Sequence, residues 1–198
     1  HYLLHRTYAV KPGDTILVHA AAGGMGLILC QWAKALGATT IGTVSTAEKA
    51  EVAKAAGCHF PVVRSKKNFV DVVREVTSDE GCAVVYEAIG KDTLQDSLDS
   101  LRPMGVCAAY GHVSGPPDPV DIIQDLGRRG SLFITRPAIM HYVAKRADLE
   151  WTARDLFQAI GDGVISANIN YEYELKDAVQ AHKAIESGTT LGASVLIP

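Results

Sequence analysis

The chain lacks the features that several functional classes require. Its four cysteines, Cys30, Cys58, Cys82 and Cys107, are spread over 198 residues; no two form a CxxC pair and none stands beside a histidine at metal-ligand spacing. That argues against a disulfide framework and against a structural metal site. Cys30, Cys82 and Cys107 fall in apolar segments, so reduced, buried thiols are expected, as in a cytoplasmic protein. The seven histidines are scattered, which gives no second route to a metal. No apolar run is longer than a strand and no signal peptide is visible, so no membrane partner is expected. The net charge of −3 supplies no basic field for nucleic acid and no basic block for a lipid surface. Short clusters such as Lys66-Lys67 and Arg128-Arg129 read as solvated turns. An initiator methionine is also missing. The opening His1-Tyr2-Leu3-Leu4-His5-Arg6 reads as the end of a helix, and the chain is expected to be a fragment without its N-terminal part.

What the chain has is alternation. Strand-like runs at 15–19, 39–44, 60–63, 83–86, 106–110 and 132–135 are separated by helix-like segments at 24–36, 46–57, 68–76 and 94–101. In the first helix Met25, Ile28, Leu29, Trp32, Ala33 and Leu36 recur on one face, and Gly37 stops it. The fully apolar 83–86 run suits a strand buried on both faces. Residues 111–119 form a loop rich in Gly and Pro, and helices follow at 138–145 and 149–160. Strands alternating with helices argue a doubly wound parallel sheet in three α/β/α layers, a Rossmann fold. The end of the chain differs: a polar alternating strand at 168–173, a helix at 175–187 and a strand at 193–197 form an appended β-α-β extension. The expected division is a dinucleotide-binding domain at 1–166, with 1–10 the end of a linking helix, and a separate segment at 167–198.

Chemistry concentrates at the first strand–helix junction, Ala20-Ala21-Ala22-Gly23-Gly24-Met25-Gly26. A phosphate approaching a backbone needs bare peptide N–H groups and no Cβ in the way. The dinucleotide fingerprint G-x-G-x-x-G falls on Ala21, Gly23 and Gly26, with alanine replacing its first glycine. Gly23 would admit pyrophosphate, and Gly26 would let the helix pack tightly on its strand. At the end of the second strand, where NAD-binding folds place a carboxylate for the ribose 2′-OH, the residues are Thr43-Val44-Ser45-Thr46. Without that acid, a 2′-phosphate meets no repulsion. Lys49, one turn into the next helix, is either its counter-charge or a solvated helix lysine. Arg64, ending the third strand, is either a second such cation or a stacking partner for adenine, or it is solvated. The ends of the fourth and fifth strands, Ile89 in the first and Tyr110, Gly111 and His112 in the second, border the crevice where nicotinamide ribose would lie. Packing and loop capping are the alternatives for Tyr110 and His112.

Several chemistries fall away. There is no HExxH and no GK[ST] phosphate loop, and Gly111-His112-Val113-Ser114-Gly115 misses the G-x-S-x-G spacing by one residue. Tyr142 and Lys145 are three apart rather than four, which argues against a self-contained short-chain dehydrogenase. The missing acid after the second strand disfavours a methyltransferase. No general acid or nucleophile is assigned.

Residues 10–27, Val-Lys-Pro-Gly-Asp-Thr-Ile-Leu-Val-His-Ala-Ala-Ala-Gly-Gly-Met-Gly-Leu, with 31–38, 41–44, 130–137 and the closing Leu196-Ile197-Pro198, resemble the zinc-free, zeta-crystallin-type quinone oxidoreductases of the medium-chain dehydrogenase/reductase superfamily. The resemblance covers the whole chain. It implies an NADPH-dependent reduction of quinones, or of related enones, by transfer from nicotinamide without zinc, and a homodimer that uses the 132–135 strand. It implies that a GroES-like N-terminal domain is missing and that 171–197 would complete it. Carried over, Gly23–Gly26 hold pyrophosphate and Lys49 the 2′-phosphate. The loop after Tyr110 flanks the nicotinamide, and the backbone of Phe133 and Thr135 approaches its carboxamide. Two positions depart from the family: Arg64 stands where tyrosine is common, and Gly188 where arginine is common. Two readings of other kinds stay open: an NADPH-binding module without turnover, as in crystallins, and an enoyl-reductase-type double-bond reductase.

Overall fold

The computed structural model describes residues 1–167 and 169–198. After a wide helical turn at Leu3–Thr7, the chain builds β1 (Thr15–Val18), α1 (Gly24–Ala35), β2 (Thr39–Val44), α2 (Ala47–Ala55), β3 (Phe60–Val63), α3 (Phe69–Thr77), β4 (Cys82–Glu87), α4 (Leu94–Asp99), β5 (Leu101–Ala109) and β6 (Phe133–Thr135). Next come α5 (Ile139–Tyr142), α6 (Arg146–Gly161), β7 (Ile169–Glu174), α7 (Ala178–Glu186) and β8 (Ala193–Ile197).

The first six strands form one sheet in the order β3-β2-β1-β4-β5-β6, and each neighbouring pair in it runs parallel. This is the expected doubly wound Rossmann sheet. The chain leaves β1 in one direction to reach β2 and β3, and in the other to reach β4. That reversal opens a crevice outside the carboxyl ends of β1 and β4, where such folds hold ligands. β4 lies between β1 and β5 and all six of its residues are buried, which is why it reads as an unbroken apolar run.

Two apolar clusters cover the two faces. One joins the sheet to α1, α2, the end of α6 and the Leu3–Thr7 turn, through Leu3, Leu4, Leu29, Trp32, Ala53, Tyr86 and Ala159. The other joins it to α3 and α4 through Leu17, Ile41, Val70, Val73, Val85, Leu94 and Leu98. The Tyr86 hydroxyl, inside the first cluster, donates to the Leu3 carbonyl at 3.2 Å. All four cysteines are buried and unpaired. Among the described residues no helix is long and apolar enough to cross a membrane.

The structure moves several boundaries. Helix α1 buries Gly26, Leu27, Leu29, Cys30, Trp32 and Ala33, whereas Met25, expected on that face, is 46% exposed. Gly26 and Leu27, next to it in the same turn, take the buried positions instead. The helix expected at 94–101 ends at Asp99, and Leu101 opens β5, which starts five residues earlier than the expected 106. Pairing slips between Cys82 and Val84, and Met104 takes a positive φ of 60°. This irregular stretch, containing Pro103 and Gly105, hid the early half of the strand. A helical turn at Ile122–Gly127 was not foreseen; the Asp121 carboxylate caps it by accepting from the Ile123 and Gln124 N–H groups. The 138–145 helix shrinks to α5, the 149–160 helix starts earlier at Arg146, and 175–187 splits into a tight turn and α7.

Strands β7 and β8 pair in parallel, with α7 crossing between them, as a separate two-stranded sheet. The expected strand at 168–173 begins at Asn168, which lies outside the described residues. The extension touches the main sheet at its most sensitive point. The Gly192 N–H donates to the Ala22 carbonyl at 3.0 Å, and Gly23 bridges to Gly192.

Candidate cofactor site at the sheet reversal

The β1–α1 turn is built for a close approach. An ideal Cβ on Gly26 would lie 2.2 Å from the Ala20 carbonyl oxygen and 2.6 Å from the Ala21 Cα. Only glycine therefore lets α1 begin this close to β1. The alanine that replaces the first fingerprint glycine is also explained. Ala21 is fully buried, and a Cβ on Gly42 of β2 would stand 2.7 Å from the Ala21 Cβ. Gly42 vacates the volume that the extra methyl group occupies. The turn is closed by the Gly23 N–H donating to Ala20 (2.9 Å) and the Ala21 N–H donating to Thr43 (3.0 Å). The first-turn N–H groups of α1 have no partner within the helix, and they sit at the positive end of its dipole.

Beside this turn lies a cleft of about 700 Å³. Seven of the expected site residues line it: Ala22, Gly23, Thr43, Ser45, Lys49, Arg64 and Ile89. Lys49 and Arg64 both line this cleft, as do Thr46 and Glu48. Thr46 caps α2, its hydroxyl accepting from the Lys49 N–H at 3.2 Å. The opposite wall was not foreseen. It consists of Tyr171, Ser187, Gly188, Thr189, Thr190 and Leu191 from the extension, and the Lys49 ammonium donates to the Gly188 carbonyl at 2.5 Å. The departure at Gly188 was visible in the sequence, but not that its carbonyl faces Lys49.

The other expected residues stand outside the cleft. Gly24 and Met25 lie on the first turn of α1, and Gly26 is buried beneath it. Tyr110 is half-buried against the core, which pushes its phenol well above the ordinary value, with the nearby Glu87 charge adding to the effect. Gly111 is a wedge: a Cβ there would lie 2.5 Å from the Ala88 carbonyl oxygen. His112 is exposed in the same loop. Phe133 is 61% exposed on β6, and Thr135 lines a separate hollow with Arg6, Arg136 and His141.

Sequence reading gave no role to a polar cluster behind the cleft. His19, just after β1, and Glu87, the last residue of β4, are both fully buried, with His19 Nε2 3.4 Å from Glu87 Oε2. His19 Nδ1 lies 2.8 Å from the Thr43 hydroxyl, and its ring meets Phe69 edge-on. Burial by itself would raise the Glu87 carboxyl; His19 and hydrogen bonds from Ser97, Gly90 and Ile89 outweigh it and hold it below the ordinary value. Burial pushes His19 down, against the pull of Glu87. The pair therefore stands as a neutral imidazole beside a carboxylate. The signal was present in the sequence: two neighbouring strands each end on an ionisable residue after an apolar run.

A glycine turn opening a helix at the sheet reversal, two cations where an acid would reject a 2′-phosphate, and an adjoining cleft together define a dinucleotide-binding domain. Residues 24–152 match the family model described as zinc-binding dehydrogenase, and the chain belongs to that family. It is 54% identical over 197 residues to a 2-haloacrylate reductase of Burkholderia sp, covering 100% of this chain and 59% of that protein. It is 45% identical over 199 residues to a quinone oxidoreductase of Salmonella typhimurium, covering 100% of this chain and 61% of the relative. Among solved structures, the Escherichia coli quinone oxidoreductase complexed with NADPH superposes with a TM-score of 0.95 at 43% identity, over 100% of this chain and 61% of that one. The chain thus spans about three fifths of the length of the curated relatives it matches. The family description names zinc, but among the described residues no group of three His, Cys, Asp or Glu side chains converges to hold a metal. That donor set does not fit a bound zinc ion.

Proposed function

We propose that the chain is the NADPH-binding domain of an NADPH:quinone oxidoreductase. The observation that carries this reading is that Lys49 and Arg64 line the same cleft, with Val44 and Ser45 standing where a ribose-binding acid would be. In this reading the first-turn N–H groups of Gly24, Met25 and Gly26 receive pyrophosphate, and Gly23 leaves it room. Lys49 and Arg64 take the 2′-phosphate. Ile89, the 110–112 loop, Phe133 and Thr135 border the nicotinamide end. Bound nicotinamide would supply hydride to an electron-poor quinone, while the chain's own residues bind, orient and exclude water. The solved relative's complex with NADPH supports the choice of cofactor.

Residues 1–166 form the cofactor unit, and 167–198 complete a catalytic domain contributed by a longer chain. Two facts support this division. A two-stranded sheet is marginal by itself, and this one leaves Ile169, Leu175, Val179, Ile185 and Ile197 about half exposed or more. The relatives are also longer. The protein works as a homodimer joined through β6, an edge strand whose Phe133 is 61% exposed. Its buried, unpaired cysteines suit the reducing cytoplasm.

One observation favours a second reading: the 54% identical relative is a 2-haloacrylate reductase, so an activated C=C bond rather than a quinone is the alternative acceptor. Both readings need the same cofactor. Titration of the chain with NADPH and NADH, followed by nicotinamide fluorescence, tests the shared part; NADPH is expected to bind at least tenfold tighter. Equal affinity would overturn the 2′-phosphate assignment. With the full-length protein, NADPH oxidation by a quinone against a 2-haloacrylate separates the two acceptors.

A further inference from the structure

The cluster behind the cleft is connected in a defined direction. Glu87 Oε1 accepts from the Ile89 N–H at 2.6 Å and the Gly90 N–H at 3.0 Å. The Thr93 hydroxyl lies 3.0 and 2.9 Å from the two carboxylate oxygens, and the Ser97 hydroxyl donates to Oε2 at 2.5 Å. Ser97 has then spent its hydrogen, so its oxygen accepts from His19 Nε2–H at 2.9 Å. His19 Nδ1 lies 2.8 Å from the Thr43 hydroxyl, which can donate to it when the ring is neutral. Every donor and acceptor agrees with an ionised Glu87 and a neutral His19.

A buried carboxylate is an expensive way to hold two strands together, and apolar side chains of the same volume do so at least as well. What apolar side chains cannot do is bind backbone N–H groups. Glu87 binds two, and both belong to the turn that follows β4. That turn in turn carries the loop after β5. The Gly111 N–H donates to the Glu87 carbonyl (3.2 Å), Val113 to Ala88 (3.2 Å), Ser114 to Ile89 (2.8 Å) and Lys91 to Gly115 (3.2 Å). Glycine at 90 and 111 lets the two loops meet, because Cβ atoms there would lie 2.6 Å from the Gly115 oxygen and 2.5 Å from the Ala88 oxygen.

We propose that Glu87 is a positioning residue for the nicotinamide half of the cofactor: its carboxylate, braced by His19, Ser97 and Thr93, fixes residues 88–90 and through them the 111–115 loop as one rigid wall of the crevice. This rests on the NADPH reading above. The adenosine half is held by the first turn of α1, Lys49 and Arg64, none of which bonds to Glu87, so the two halves of the cofactor respond differently when the carboxylate is altered.

The test titrates the chain with NADPH and with adenosine 2′,5′-bisphosphate, which carries only the adenosine end. Glu87→Gln keeps the volume and one oxygen for the two N–H groups, but it removes the charge and puts an amide donor where Oε2 accepts from the Ser97 hydroxyl. Its NADPH Kd is expected to rise tenfold or more, while the bisphosphate Kd stays within twofold. Hydrogen exchange at the Ile89 and Gly90 amides is expected to accelerate at least tenfold, with β1 and β4 amides unchanged. Should Glu87→Gln not fold, Ser97→Ala removes one brace and leaves the charge; it is expected to raise the NADPH Kd about threefold with the same split. Equal weakening of both ligands, or no weakening of NADPH in a folded variant, overturns the proposal. If the wild-type chain binds neither ligand, the NADPH reading itself fails, and the positioning role falls with it.

Discussion

Replacing Gly26 by alanine tests the physical basis of the β1–α1 turn. The new Cβ would stand 2.2 Å from the Ala20 oxygen, 2.6 Å from the Ala21 Cα and 2.7 Å from the Ala21 carbonyl carbon. All three are backbone atoms of the turn, so no side chain can rotate away. Relief requires α1 to move by roughly 1 Å; overpacking of this kind costs about 1–3 kcal/mol, occasionally more. With three backbone contacts the upper end, about 3 kcal/mol, is the appropriate figure. Alanine returns about 1 kcal/mol through its helix propensity, leaving a net loss of about 2 kcal/mol. For a chain of this size each kcal/mol moves Tm by roughly 2–4 °C, so calorimetry should show a fall of roughly 4–8 °C. The displaced first turn should also weaken NADPH binding. Gly161→Ala is the control: it ends α6 with no atom within 4 Å of its Cβ, and the propensity term alone should raise Tm by roughly 2–4 °C. A Gly26→Ala chain as stable as wild type, with unchanged affinity, would refute the argument that this glycine is required by close approach.

Three further outcomes are expected. Lys49→Ala should weaken NADPH binding about tenfold or more and leave NADH within about twofold, since a hydrogen bond to a charged group contributes about 1.5–3 kcal/mol; equal loss for both cofactors would remove Lys49 from the 2′-phosphate. Stability measured by denaturant unfolding should decline as pH falls below 6.5. The unfolded chain takes up a proton on His19 near the ordinary 6.5 and on Glu87 near 4.5, while burial in the native state keeps His19 lower and its partners keep Glu87 lower. Each group contributes at most about 1.4 kcal/mol per pH unit, in the same direction, so greater stability at pH 5 than at pH 7 would contradict the assigned protonation states. Finally, Phe133→Lys places a charge at the edge of β6 and should convert a dimer to a monomer in sedimentation; a dimer that survives the change does not pair through this strand.

Much of the molecule was legible before folding. β2, β3 and β8 fall at the expected residues, and α1 starts at the expected Gly24, because strand propensity and turn glycines act over a few residues. The early half of β5 was not legible: Pro103, Met104 and Gly105 interrupt its pattern, and its pairing with β4 overrides them. The face of α1 was misread at Met25, which is exposed while Gly26 and Leu27 beside it are buried.

Sequence alone determined the alternation of elements, the glycine turn at 23–26, the missing acid after β2 and the presence of Lys49 and Arg64 beyond it, because each is a property of neighbouring residues. Tertiary structure decided which of these residues share a cleft, brought 187–191 across from Lys49, set Gly42 against Ala21 and joined His19 to Glu87. Those contacts span tens of residues and exist only once the strand order puts β4 beside β1, and that order is fixed by packing of the whole sheet rather than by any local stretch of chain.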